Sequence, residues 1–453
     1  MTNTLKQLSI ILGLILLTGC KKFLNVPTPP GTVSTVEVFE TDKKAISVMM
    51  GIYSDMIEQP SFSRSMTTKY AGLSSDELDI YNPSANDEEF ATNTISPDNS
   101  IIGRIWQEGY ETIYYANSAI KGISNSNKIS KKLKTQLLGE AYFIRAFCHF
   151  YMTNMFGRIP IITGTNYVNN GNTGRSDPFE VYTQITNDLK KAVDLLSENG
   201  PTNTPIRPNK YAAEFLLARV YLHTGDWAKS EKQADNIINS NKYRLLDSLN
   251  KVFLANSRAA IWQLVPSQGC VPELLDTFLP YSYGEGPPRC ILDTSLMRAF
   301  EVGDRRKSAW IDSLIYLNKK YYFPSKYRSV SFNNEEYYTI FRLAEVYLIR
   351  SEAQLHQGNT IGALRDLNKI RNRAGLNPTN VSDTIQLMNA IMQERRIELF
   401  AEWGHRWFDL KRTGRINEVL GTQKKGWEAY KCLFPLPSDQ IEINSALDQN
   451  EGY

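Results

Sequence analysis

The 453-residue chain has no apolar run of the ~20 residues that a membrane-spanning helix needs, so no part of it is expected to cross a bilayer as a helix. It also lacks any Lys/Arg block that would track phosphates, and a formal net charge of +3 is too small to attract a polyanion, so nucleic acid is not an expected partner. Histidine is scarce. His149, His223, His356 and His405 stand far apart in sequence, which leaves a metal centre or a histidine-activated nucleophile little to build on. The motifs H-E-x-x-H, G-x-S-x-G and C-x-x-C do not occur, and the near-miss from Gly421 to Gly426 lacks the Lys-Ser/Thr that completes a phosphate loop. Neither cofactor nor catalysis is implied. The 42% hydrophobic, 11% aromatic and 22% charged composition is that of an ordinary globular protein with room for a large core.

What is present begins at the N-terminus. Lys6 supplies a basic n-region, Leu8 to Leu17 an apolar h-region, and Leu17-Thr18-Gly19-Cys20 has the form of a lipobox. Residues 1–19 are therefore expected to be a removed signal and Cys20 the lipidated first residue, since multiple acyl chains hold a protein to a membrane durably. Residues 20–35, with Lys21, Lys22 and the closely spaced Pro27, Pro29 and Pro30, read as an extended tether. Four further cysteines fall in a compartment where disulfides persist. Cys270 and Cys290 bracket a Pro, Gly and Tyr-rich loop and are a candidate pair; two free thiols, or pairing with Cys148 or Cys432, are the alternatives.

Residues 36–453 read as one mainly α domain. Ala141, Ile144, Phe147, Cys148 and Tyr151 form an apolar stripe at helical spacing that stops at Gly157. Trp106 to Ile120 and Phe179 to Val193 keep the same period. Two segments repeat one another: Ala218, Gly225 and Ser230 recur as Ser351, Gly358 and Ala363, small residues at the offsets where the two helices of a tetratricopeptide-like pair touch. Such repeats follow one another about every 34 residues, so the wide separation implies an insert. Scaffold helices are expected at about 36–58, 104–240 and 332–415, giving a discontinuous α/α superhelix. Irregular segments of loops and short strands are expected at about 59–100 and 241–331, where binding residues concentrate.

The C-terminal stretch from Glu394 to Arg412, E-R-R-I-E-L-F-A-E-W-G-H-R-W-F-D-L-K-R, resembles the signature of SusD/RagB-type nutrient-uptake lipoproteins. The segment from Gly139 to Phe147 with Tyr151 and Gly157 to Pro160, the segment from Leu343 to Ala353, and the ending Phe434-Pro435-Leu436-Pro437 through Asn450-Glu451-Gly452-Tyr453 are similar to other parts of the family pattern. The resemblance is nearly full length. It implies a helical scaffold carrying an irregular ligand region, held at the outer membrane and facing the cell exterior, as the lid of a SusC-like TonB-dependent transporter. The implied ligand is an oligosaccharide, with a peptide as the alternative. A surface glycoside hydrolase and a tetratricopeptide scaffold that binds only proteins are competing readings.

Glu394, Glu398 and Glu402 recur every four residues among Arg395, Arg396 and Arg406, which reads as an ion-pair lattice fixing the last helices. A glycosidase acid would need a raised pKa, and arginines this dense push the other way. A sugar site needs flat rings for C–H faces and polar groups for hydroxyls. Asp76, Tyr81 and Asn82 in the first irregular segment, and Tyr281, Tyr283 and Trp310 in the second, are the candidate ligand residues.

Overall fold

The computed structural model describes residues 38–58, 62–266, 277–280, 286–329 and 335–453. Cys20, Cys270, Tyr281 and Tyr283 lie outside the described residues. Among the described residues the fold is mainly α with three small antiparallel sheets.

Helix α1 (Asp42–Glu58) buries Ala45, Met49, Ile52 and Met56 along one stripe. Its first residue, Asp42, accepts hydrogen bonds from the Ser130 N–H (2.8 Å) and hydroxyl (2.7 Å), pinning the loop that opens a later helix. The stretch at 59–100 departs from the irregular reading. A π-helical turn (Phe62–Met66) runs into α2 (Thr67–Ser74), every residue of which is buried, followed by β1 (Leu78–Ile80) and α3 (Ala85–Thr92). Its polar composition is used in caps: Ser84 accepts from the Asp87 N–H, left-handed Asn93 ends α3, and Asn99 opens α4 (Ser100–Asn125). Short side-chain acceptors satisfy orphan N–H groups at helix starts, so a Ser/Asn-rich segment can be helical between its caps.

Next come α5 (Lys131–Phe156), α6 (Tyr167–Asn170) and α7 (Pro178–Leu195). The α5 stripe read from sequence is part of a helix buried on all sides beyond Gly139, apart from the half-buried Tyr142. Gly109 of α4 lets the two helices close, since a Cβ there would stand 2.5 Å from Met152 Sδ. Burial on all sides takes charges inside, and each is met. Glu140 accepts from Arg207 (2.6 and 3.1 Å), Tyr53 (2.7 Å) and Gln136 (2.8 Å), while Arg145 forks onto Asp188 (2.6 and 2.8 Å) and Asn117 (2.7 Å). Gly157, at φ +77°, ends the helix where the sequence places the stop.

The two repeats are α8 (Lys210–Thr224) with α9 (Trp227–Asn239), and α12 (Leu343–His356) with α13 (Thr360–Arg373). Gly225 and Gly358 both take left-handed φ, and Asp226 and Asn359 cap the second helix of each pair. The Ser230 hydroxyl donates to Ala218 O (2.9 Å) and the Ser351 hydroxyl to Ala363 O (2.7 Å), so the small residues do bring the helices into contact. The pairs stack on each other: Arg350 reaches Asp235 (2.7 Å), Gln354 reaches Glu231 (2.9 Å), and the Trp227 and His356 rings lie parallel at 3.8 Å. The insert therefore loops out of a continuous superhelix.

Between the pairs lie β2 (Ala260–Leu264), β3 (Cys290–Leu292), α10 (Thr294–Ala299), α11 (Arg305–Trp310), the hairpin β4 (Ile311–Tyr316) and β5 (Lys319–Pro324), and β6 (Tyr338–Arg342). Strand β2 pairs with β6 under a core of Phe143, Phe147, Phe215, Trp262, Phe341 and Trp403. After α13 come α14 (Thr384–Glu398), α15 (His405–Arg412), α16 (Ile416–Gln423) and α17 (Ser438–Ile443).

Candidate functional site

Strand β1 pairs with β3, Leu78 opposite Leu292 and Ile80 opposite Cys290, so the two segments expected to carry the ligand meet as one small sheet. The ladder continues through the Tyr81 N–H, which donates to Arg289 O at 2.8 Å. Beside it stands the β4–β5 hairpin, closed by Leu317 and Asn318, both with positive φ, as a two-residue turn requires. This geometry sets the Tyr81 ring edge-on to Tyr321 (5.5 Å, 73°) and Tyr316 (6.3 Å, 84°). All three rings are half-buried. Gly286, at φ +136°, passes close by; a Cβ there would lie 3.8 Å from Tyr81 and 3.9 Å from Tyr316. Asn82 and Asp79 are exposed at the rim, and Lys319 lies 4.9 Å above the Tyr321 ring. The result is a partly exposed aromatic face with polar groups around it. Tyr316 and Tyr321 escaped the sequence reading, although the run from Ile315 to Tyr322, with Leu317-Asn318 at its centre, carries the hairpin signal.

Two candidates have other work. Asp76 is 2% exposed and held by Arg406 (2.6 and 2.9 Å) and Arg396 (2.8 Å). Burial by itself would raise its carboxyl, but the hydrogen-bonded Arg406 and the adjacent Arg396 hold it below its ordinary value. It anchors the turn into β1. Trp310 is 1% exposed, with its Nε1–H donating to Leu249 O at 3.1 Å, and it packs against Phe253 and Phe400. Its ring faces Lys326 (4.7 Å), Arg342 (5.7 Å) and Arg373 (5.7 Å), roofing a buried charge network instead of meeting solvent. Cys290 is a free thiol in the buried β3, pushed up to about 12 by burial.

The signature glutamates form that network, but not with the signature arginines. Glu398 receives Arg342 (2.5 Å), Arg373 (2.5 Å) and Arg306 (3.0 Å); Glu394 receives Arg306 (2.6 Å); Glu402 receives Arg342 (2.7 Å) and Lys326. Arg395 instead meets Asp409 (2.8 Å), while Arg396 and Arg406 clamp Asp76. Burial opposes ionisation of Glu398, yet three guanidiniums hold it far below the usual carboxylate range. Glu394 and Glu398, at 3% and 0% exposure, are shut off from any sugar, which removes this pair as a glycosidase acid and base. His149 and His405 are buried and depressed to about 4 by desolvation, hence neutral. No group of three His, Cys, Asp or Glu among the described residues could hold a metal.

The superhelix thus carries a partly exposed aromatic face built where the Tyr81 segment meets the β4–β5 hairpin. A SusD-like family described as starch-binding and associating with the outer membrane matches residues 22–222, and the SusD family matches residues 303–453. The chain belongs to the SusD/RagB family. It is 26% identical to SusD-like protein P2 of Formosa agariphila over 99% of both chains, and 26% identical to the starch-binding protein SusD of Bacteroides thetaiotaomicron over 69% of this chain and 72% of that one. Among solved structures, a SusD superfamily protein from Bacteroides vulgatus superposes with a TM-score of 0.81 at 19% identity, covering 92% of this chain and 100% of that one. A laminarin-binding SusD-like protein superposes with a TM-score of 0.78 at 24% identity, covering 91% and 100%.

Proposed function

We propose that this chain is a lipid-anchored outer-membrane protein, facing the cell exterior, that binds an oligosaccharide on the Tyr81, Tyr316 and Tyr321 face and serves as the lid of a SusC-like TonB-dependent importer. The single observation that carries the ligand reading is the aromatic face itself: three half-buried rings, one following β1 and one from each strand of the β4–β5 hairpin, with Asn82 and Asp79 at the rim, suit the C–H faces and hydroxyls of a sugar. Membership of a family whose members include starch-binding and laminarin-binding proteins supports it. The lipobox ending at Cys20 supports the anchor, and the tether that follows is too short to make a large interface, so the folded body would supply the contact with the barrel.

The lid reading is tested by gentle detergent extraction of membranes followed by affinity purification of this chain. Co-purification of a large TonB-dependent barrel is expected; isolation of the chain alone would overturn the importer role. Labelling of intact cells with an impermeant reagent tests the orientation, and a chain labelled only after lysis would be periplasmic.

A further inference from the structure

A cleft of about 480 Å³, sharing no residue with the Tyr81 face, lies between the 198–209 loop and the segment from Lys242 to Ala260. Its two rims are fastened to one fully buried residue on β2, one through its backbone and the other through its side chain. The Gln263 N–H donates to Pro205 O (2.8 Å) on one rim, its Oε1 accepts from the Asn256 N–H (3.0 Å) on the other, and its Nε2 donates to Leu254 O (3.0 Å). The remaining walls are tied as firmly: Lys242 Nζ is committed to Glu198 O (3.0 Å) and Asn199, Asn209 donates to the Tyr243 hydroxyl (2.9 Å), and the Arg244 N–H donates to Arg258 O (2.8 Å). Glu198, the acidic residue of the rim, lies 3.8 Å from Lys210.

Once these bonds are made, three lining side chains have no hydrogen-bond or ion-pair partner among the described residues: the amides of Asn203 and Asn256 and the guanidinium of Arg258. A braced cleft of this volume, within the ordinary range for small ligands, therefore offers two amides and one cationic fork. A guanidinium matches a carboxylate or sulfate with two parallel N–H bonds, and amides both donate to and accept from ring hydroxyls.

We propose that this cleft is a second carbohydrate site, taking a sugar unit that bears a carboxylate or a sulfate. Titration calorimetry of the full folded chain with trigalacturonate, a galactose-6-sulfate disaccharide, galactotriose and inorganic sulfate tests it. One of the two acidic sugars is expected to bind, and which one names the anionic group. Its dissociation constant should rise at least tenfold in Arg258→Ala and recover partly in Arg258→Lys. It should rise severalfold in Asn256→Ala and stay unchanged in a Tyr81→Ala/Tyr321→Ala variant, which separates this site from the aromatic face. The proposal is overturned if neither acidic sugar binds, if Arg258→Ala leaves the affinity unchanged, or if inorganic sulfate binds as tightly as the sugar.

Discussion

Arg406 grips Asp76 at two points, Nε to Oδ1 at 2.6 Å and Nη2 to Oδ2 at 2.9 Å, across a sequence separation of 330 residues. The carboxylate sits two residues beyond α2, one residue ahead of the buried Glu77 and two ahead of β1, so the C-terminal signature helix sets the position of the strand that leads into Tyr81. Asp76→Ala leaves two inward-facing arginines, Arg396 and Arg406, without their shared counter-ion. Breaking a buried pair in this way costs about 3–5 kcal/mol. Arg406→Ala should cost less, because Arg396 still reaches Asp76 at 2.8 Å. Urea denaturation of the two variants measures the difference, and equal losses would contradict the shared clamp.

The two repeats make the same contact with the donor on opposite helices: Ser230 to Ala218 O in one and Ser351 to Ala363 O in the other. Each serine is fully buried. Ser→Ala at either position should cost about 1 kcal/mol, the net worth of one hydrogen bond, and the two losses should add because the sites share no partner. Ser→Val should cost more at both, since it also forces the helices apart.

Glu77 gives the stability a defined pH dependence. Burial, as the largest cause, raises its pKa to about 7, despite the hydrogen bond that its Oε1 accepts from the Ala401 N–H (2.9 Å). Its folded-state value thus lies above the unfolded one of 4.5. The stabilisation this confers is fully present below pH ~4.5 and is lost as pH rises through ~7. The buried histidines act in the opposite sense: depressed to about 4 in the folded state, His149 and His405 contribute stability above pH ~6.5 that is lost as pH falls towards 4. Glu77→Gln isolates the first effect. Relative to the parent it should gain stability between pH 5 and pH 8, by on the order of 2–3 kcal/mol across the window. A constant difference at all pH values would show that Glu77 does not titrate there.

Trp310 separates folding from binding. Trp310→Ala should destabilise by about 3–5 kcal/mol, as truncation of a buried aromatic does, and should leave ligand affinity unchanged in the folded fraction. A loss of affinity without loss of stability would return this ring to the site.

Much of the scaffold was legible in the sequence because its signals are local. The stop at Gly157, the periodic stripes of α4, α5 and α7, and the matched small residues of the two repeats each lie within one or two helical turns of what they determine. The partners of Glu398 were not legible, since Arg342 and Arg306 lie 56 and 92 residues away and nothing near Glu398 names them. Trp310 looked available because it is an aromatic of the irregular insert, but the neighbouring Arg306 turns inward to Asp304, Glu394 and Glu398 and the ring is buried over that network. The polar stretch at 59–100 looked irregular because capping residues and loop residues are the same types. Tyr81 and Asn82 were singled out from composition, whereas Tyr316 and Tyr321 come beside Tyr81 only through the β4–β5 pairing and its position beside β3.

The central claim is that an oligosaccharide stacks on the face made by Tyr81, Tyr316 and Tyr321. A glycan array fixes the ligand, and titration calorimetry then compares the parent chain with the Tyr81→Ala/Tyr316→Ala/Tyr321→Ala variant, its fold checked by circular dichroism. Each stacking contact is worth about 1 kcal/mol, so the triple change should weaken binding by roughly a hundredfold. A folded triple variant that binds the same glycan with unchanged affinity would contradict the account.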